Sequence, residues 1–110
     1  KIGDIMTKVT VKAGICGFVT RIEATTEDKQ HVELRVESEC SAVNEAAKNL
    51  ETIDALKEPF KKLHETEIYK LLSQNLPHAA CPVYSGMLKA VEVEAGLALP
   101  KDVNIEIEKE

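Results

Sequence analysis

The residues with the most evident chemical potential are three cysteines and a histidine close to the third of them. Cys81 follows His78 at a spacing of three, and Cys16 and Cys40 lie farther up the chain. Thiolate sulfur and imidazole nitrogen are ligands typical of zinc, and three thiolates can hold an iron–sulfur cluster with one iron left open. We therefore predict a zinc or iron–sulfur site formed by Cys16, Cys40, Cys81 and His78.

A reactive thiol is the alternative chemistry for the same segment. Cys81 is expected at the N-cap of a helix, with Pro82 at the first helical position, where the missing proline N–H costs nothing. The helix dipole favours a thiolate there, and His78 could serve as its base. Cys81 and His78 are thus the candidate catalytic residues, with Cys16 or Cys40 resolving the thiol. A third hypothesis is a structural or interaction module with buried cysteines, because free cysteine often packs as a small hydrophobe.

The elements that would position Cys16 and Cys40 are three strands. Apolar and polar residues alternate in three stretches, over residues 4–13, 18–24 and 31–40. Gly14 and Gly17 bracket Cys16 and predict a hairpin turn between the first two strands. The first strand runs toward this turn and the third runs back to it, so Cys16 and Cys40 are expected at the same end of the sheet.

Helical spacing dominates the next part of the chain. A first helix is expected to follow Cys40, a second to open at Asp54, a third to open near Thr66, and a fourth to run from Cys81 to Gly96. The second would carry three apolar residues, Leu56, Phe60 and Leu63, and Pro59 is expected to shorten or kink it because proline has no N–H.

A final strand is predicted by the alternation of Val103, Ile105 and Ile107 with polar residues. The resulting order β-β-β-α-α-α-α-β predicts an α+β two-layer sandwich with helices on one face of a mostly antiparallel four-stranded sheet. An open sheet has two edges, so a homodimer through a sheet edge, or another protein partner, is an expectation. The acidic residues of the last strand could instead oppose such pairing.

Composition narrows the function classes. The chain of 110 residues and 12.1 kDa is expected to form a single domain, residues 1–110. A net charge of −5, two Phe, two Tyr and no Trp argue against nucleic acid and membrane surfaces as partners.

No apolar run is long enough to cross a bilayer and no signal peptide is evident, so a cytoplasmic location is expected. Three cysteines are an odd number and do not form a closed disulfide framework.

Four segments of the sequence resemble a small family of uncharacterised proteins from anaerobic bacteria and methanogenic archaea. They cover residues 15–18, 37–40, 78–83 and 95–103. The resemblance extends over nearly the whole chain and depends on the glycine-flanked cysteine, the strand-end cysteine and the His-x-x-Cys pattern. It implies a domain of unknown function and therefore no particular activity. It also implies an anaerobic cytoplasm, which would suit oxygen-sensitive iron–sulfur chemistry.

Overall fold

The fold is a four-stranded antiparallel sheet with three helices, and the computed structural model describes residues 6–110 of it. The strands lie in the order β1-β2-β3-β4 and are β1 (Thr7–Lys12), β2 (Val19–Thr26), β3 (His31–Ser38) and β4 (Ile53–Asp54). The helices are α1 (Ser41–Ala47), α2 (Glu67–Ser73) and α3 (Val83–Glu94), with 3₁₀ turns at Glu58–Phe60 and Leu63–Glu65. The predicted α+β class with an antiparallel sheet is confirmed.

The hairpin between β1 and β2 is formed as the two glycines predicted. Gly14 and Gly17 have φ of 93° and 74°, a region that glycine enters without a steric penalty. Gly17 N–H donates to the Gly14 carbonyl at 2.9 Å, and Ala13 N–H donates to the Phe18 carbonyl at 3.1 Å. Positions 4 and 5 of the predicted first strand lie outside the described residues.

Helix α3 covers the sheet and supplies much of the core. Its buried apolar residues are Val83, Met87, Ala90 and Val91. They pack in the same core as the inward-facing residues of β1, β2 and β3, which are Val11, Ile22, Ala24 and Val32. Within residues 6–110, no helix has both the length and the apolar character that crossing a membrane requires.

The ends of α3 agree with the prediction at Gly96 and differ by one residue at the start. Gly96 has φ of 81° and ends the helix. Pro82, not Cys81, is the N-cap residue, because the Pro82 carbonyl accepts the first helical hydrogen bond, from Gly86 N–H at 3.1 Å. Cys81 therefore lies one residue before the helix.

A buried carboxylate fastens the end of α3 to the sheet. Glu94 is 8% exposed and accepts hydrogen bonds from Thr7 Oγ1 at 2.8 Å and from Thr26 N–H at 3.1 Å. These bonds connect the helix to the first residue of β1 and the last residue of β2. The polar pattern of α3 did not predict that this glutamate is buried.

The prediction of a helix that opens at Asp54 is wrong. Ile53–Asp54 pair with the start of β3 and form β4, and Ala55 N–H continues this contact to the Gln30 carbonyl at 2.7 Å. Strand pairing fixes the chain direction here, and Pro59 supplies no N–H for a continuous helix. The segment therefore folds into two 3₁₀ turns. Its three large apolar residues are exposed: Leu56 56%, Phe60 72% and Leu63 59%.

The predicted final strand is also wrong as a member of this sheet. Residues 101–110 have no regular secondary structure, and the fourth strand is Ile53–Asp54. The observed order is β-β-β-α-β-α-α. Alternation shows which side chains share a face, but it does not identify the strand with which a segment pairs. Val103, Ile105 and Ile107 are exposed by 60%, 74% and 91%.

Candidate functional site

Cys16 lies at the tip of the β1–β2 turn. Its thiol is free and exposed, and the preceding Ile15 is fully exposed. Residues 14–18 are all exposed, so the turn projects from the end of the sheet into solvent.

Cys40 lies at the N-terminus of α1 and packs partly against the core. It adopts an extended conformation with φ of −90° and ψ of 119°, and its side chain makes no capping hydrogen bond. Its N–H donates to Ser38 Oγ at 3.0 Å, and that hydroxyl lies 2.6 Å from Thr20 Oγ1. The strand directions place Cys40 at the sheet end that also carries the Cys16 turn, but the Cys40 side chain points toward the core.

His78 and Cys81 lie in the loop between α2 and α3. His78 is exposed, whereas Cys81 is half-buried and packs against the core. A backbone contact joins them: Cys81 N–H donates to the His78 carbonyl at 3.5 Å.

The four predicted ligands do not form a cluster. Among residues 6–110, no group of three or more His, Cys, Asp or Glu side chains is arranged to hold a metal ion. The physical reason is that the Cys16 turn extends into solvent while Cys40 and Cys81 pack inward. Metal binding by these residues and thiol chemistry at Cys81 and His78 stay predictions.

The segment 56–63 is the most unusual surface feature of the described residues, and we refer to it as the apolar segment. It presents Leu56, Phe60 and Leu63 to solvent while the glutamate between them, Glu58, is 1% exposed. This inverts the usual arrangement, in which charged residues are exposed and large apolar residues are buried.

Glu58 holds the apolar segment against α2. Its Oε1 accepts from Glu67 N–H at 3.1 Å and its Oε2 from Ile68 N–H at 2.9 Å. Both donors belong to the first turn of α2, where N–H groups have no helical partner. Lys61 Nζ lies 3.5 Å from Glu58. Burial lowers the pKa of Lys61, but its hydrogen bond to Glu67 and the charge of Glu58 outweigh this and raise the pKa overall.

The far end of the apolar segment is fixed to α2 and α3. Thr66 Oγ1 accepts from Tyr69 N–H at 3.2 Å, as predicted for a helix that opens near Thr66. The same hydroxyl donates to the Leu63 carbonyl at 2.9 Å and lies 3.1 Å from Tyr84 Oη. The rings of Tyr69 and Tyr84 meet edge to face with centroids 6.0 Å apart. The Leu63 carbonyl is therefore held by Thr66, the N-cap residue of α2, and by Tyr84 of α3, whose hydroxyl donates to it at 3.5 Å.

A shallow cleft of about 480 Å³ lies beside α2. Its lining comes from residues 49–53, from Glu67, Lys70 and Leu71 of α2, and from Gln74 directly after that helix. Glu67 and Lys70 face each other there at 3.7 Å, so their charges are already paired. The lining is mixed in polarity and suggests no particular chemistry.

The described residues form an α+β fold with an apolar segment exposed on its surface. The chain matches the family of unknown function DUF6951 over residues 7–107, so it belongs to this family. The predicted membership of a family of unknown function is confirmed. No curated protein and no solved structure matches the chain.

Proposed function

We propose that this domain is a protein-interaction module and that the apolar segment is its contact surface. The observation that carries the proposal is the exposure of Leu56, Phe60 and Leu63, by 56%, 72% and 59%, on a backbone that is fixed at both ends. Large apolar side chains grouped on a surface are typical of association sites. Aromatic residues in particular are enriched where proteins bind each other.

The fixed backbone favours binding because little conformational entropy is lost when a partner arrives. Leu56 N–H donates to Asp54 Oδ1 at 3.0 Å, and Lys57 N–H donates to the Asp54 carbonyl at 3.1 Å. Glu58 holds the middle of the segment and Thr66 its end. The exposed side chains are thus presented on an ordered scaffold.

Charge indicates what kind of partner fits. The apolar segment contains three lysines, at positions 57, 61 and 62, although the whole chain has a net charge of −5. Lys57 and Lys62 are exposed beside the apolar side chains. An apolar protein surface with an acidic rim would complement this arrangement, since charges at a rim steer association and select partners.

A matched pair of variants tests the proposal. Phe60→Ser combined with Leu63→Ser removes apolar contact area, whereas Leu99→Ser removes an even more exposed leucine from residues 96–110, outside the apolar segment. Partners captured from extracts of the source cells would be identified by mass spectrometry, purified and titrated against each variant by calorimetry. We expect the double variant to weaken binding by about tenfold or more and the control to bind like the unmodified protein. Equal binding by both variants would contradict the proposal, provided that circular dichroism shows both to be folded.

A cysteine-based function is the second candidate carried from the sequence. It would use Cys16, Cys40, Cys81 and His78 to hold zinc or an iron–sulfur cluster, or Cys81 as a reactive thiol. An origin in an anaerobic cytoplasm, implied by the resemblance, would favour it. Because the described residues show no such group, ligand convergence would require rearrangement on metal binding. Iron, sulfide and zinc analysis of anaerobically purified protein tests this directly.

A further inference from the structure

The C-terminal tail contains a strand-like segment that has no partner among the described residues. Asp102, Asn104 and Glu106 alternate with Val103, Ile105 and Ile107, which is the period of a strand with one apolar face. Residues 96–110 are all exposed. The apolar face of this segment is therefore left in solvent.

Strand β1 has six residues, the same number as the tail segment 102–107, and lies at an edge of the sheet. Within residues 6–110, β1 is an outermost strand and pairs with β2 alone. Ala13 N–H bonds to the Phe18 carbonyl in the same hairpin. Because backbone groups of successive residues point to opposite sides of a strand, those of Lys8, Thr10 and Lys12 point to the free edge. Within residues 6–110, each of these residues has one N–H and one C=O that face away from β2 and could pair with another strand.

The side chains of the two segments are complementary in charge and polarity. Lys8, Thr10 and Lys12 are exposed and form the outer, basic face of β1. Val9 and Val11 form the opposite face and pack toward the core beneath α3. Asp102, Asn104 and Glu106 form an acidic face of the tail, opposite to its apolar one.

We propose that residues 102–107 of one copy pair with β1 of a second copy, and reciprocally. Antiparallel pairing, the direction of every strand pair in this sheet, places Asp102 opposite Lys12 and Glu106 opposite Lys8. The same register places Val103 opposite Val11 and Ile105 opposite Val9, so the apolar residues of the tail extend the covered face of the sheet. Exchange of identical elements between two copies is a low-cost route to a symmetric dimer.

Thr10→Pro tests the edge in the 110-residue chain. The Thr10 N–H points away from β2, so proline at this position removes a bond to the added strand without removing one inside the hairpin. We expect the unmodified protein to sediment as a dimer in analytical ultracentrifugation and Thr10→Pro to sediment as a monomer. Thr10→Val keeps the N–H and is expected to remain dimeric. A dimer that persists in a folded Thr10→Pro variant would overturn the proposal.

Charge reversal provides a test that does not depend on proline being tolerated. In the double variant Asp102→Lys and Glu106→Lys, the new lysines lie opposite Lys12 and Lys8 of the other copy. We expect the dimer dissociation constant to rise by about tenfold or more at low salt. Adding Lys8→Glu and Lys12→Glu is expected to return the dissociation constant to that of the unmodified protein. The unmodified protein could instead be a monomer in which the Lys8 and Thr10 amides are protected from hydrogen exchange. That result would show that the tail pairs with β1 of the same copy, and it would overturn the proposal. A monomer with both amides unprotected would overturn it as well.

The dimer does not depend on the apolar segment. The variant with Phe60→Ser and Leu63→Ser is expected to retain the dimer mass, so failure of the proposed partner surface and failure of strand exchange give different results.

Discussion

Gly86 of α3 lies so close to Val11 of β1 that a Cβ on the glycine would overlap the valine Cγ2. The same Cβ would meet Ile22 Cδ1 at 3.5 Å and Val9 Cγ1 at 3.6 Å. A residue without a side chain therefore lets the helix lie directly on β1 and β2. This contact sets the distance between the two layers of the fold.

Gly86→Ala is expected to destabilise the protein, although alanine normally stabilises a helix relative to glycine. We expect the free energy of unfolding to fall by about 1–3 kcal/mol, because overpacking a filled site outweighs the gain in helix propensity of about 1 kcal/mol. Urea denaturation followed by circular dichroism measures the change. Ser85→Ala, at an exposed position of the same helix, is the control and should not lower stability. Equal or greater stability of Gly86→Ala would show that the layers can separate freely.

The sequence predicted α3 well because a long apolar stripe at helical spacing has few alternative structures. The sequence did not predict the close approach of Gly86 to β1, since the distance between the helix and the sheet depends on side chains from distant strands. The hairpin was predictable for a local reason, because positive φ at Gly14 and Gly17 requires only neighbouring residues.

Long-range pairing explains what was missed. Leu56, Phe60 and Leu63 have helical spacing, but the pairing of Ile53–Asp54 with β3 takes the chain out of a helix. Pro59 was the local signal against a continuous helix. Burial of Glu58 could not be predicted, because its hydrogen-bond donors belong to the first turn of a helix that is itself set by packing.

Glu58→Gln is expected to lower the free energy of unfolding by about 1–3 kcal/mol. The carboxylate accepts from two backbone N–H groups with its two oxygens, whereas an amide has one oxygen and would turn an NH₂ toward the second donor. Chemical denaturation at neutral pH measures the loss. Glu65→Gln changes an exposed glutamate nearby and should be close to neutral. If both variants were equally stable, Glu58 would not be the residue that anchors the apolar segment.

The Asp28–His31 pair is expected to make stability depend weakly on pH. His31 Nδ1 lies 2.7 Å from Asp28 Oδ2, and this hydrogen bond raises the pKa of His31 above 6.5 and lowers the pKa of Asp28 below 3.8. The histidine contribution is complete below pH 6.5 and is lost as the pH rises through the raised pKa. The aspartate contribution is complete above pH 3.8 and is lost as the pH falls through the lowered pKa.

The difference in stability between the unmodified protein and Asp28→Asn should therefore be greatest between about pH 4 and pH 6.5. NMR titration of the His31 ring measures the pKa directly, and Asp28→Asn should return it toward 6.5. The His64 ring serves as an internal reference in the same spectra. An unchanged His31 pKa in Asp28→Asn would show that the hydrogen bond does not form in solution.

Alkylation of the three cysteines should separate the remaining hypotheses for them. We expect iodoacetamide to modify Cys16 first, because its thiol is exposed in the turn while Cys40 and Cys81 are half-buried against the core. Peptide mass spectrometry over time gives the three rates, and unfolding in urea should bring them together if burial is the cause. Fastest modification of Cys81 would instead favour the reactive thiol. If all three cysteines were protected from alkylation and a chelator abolished this protection, the metal site would be favoured, because ligation would shield even the exposed Cys16.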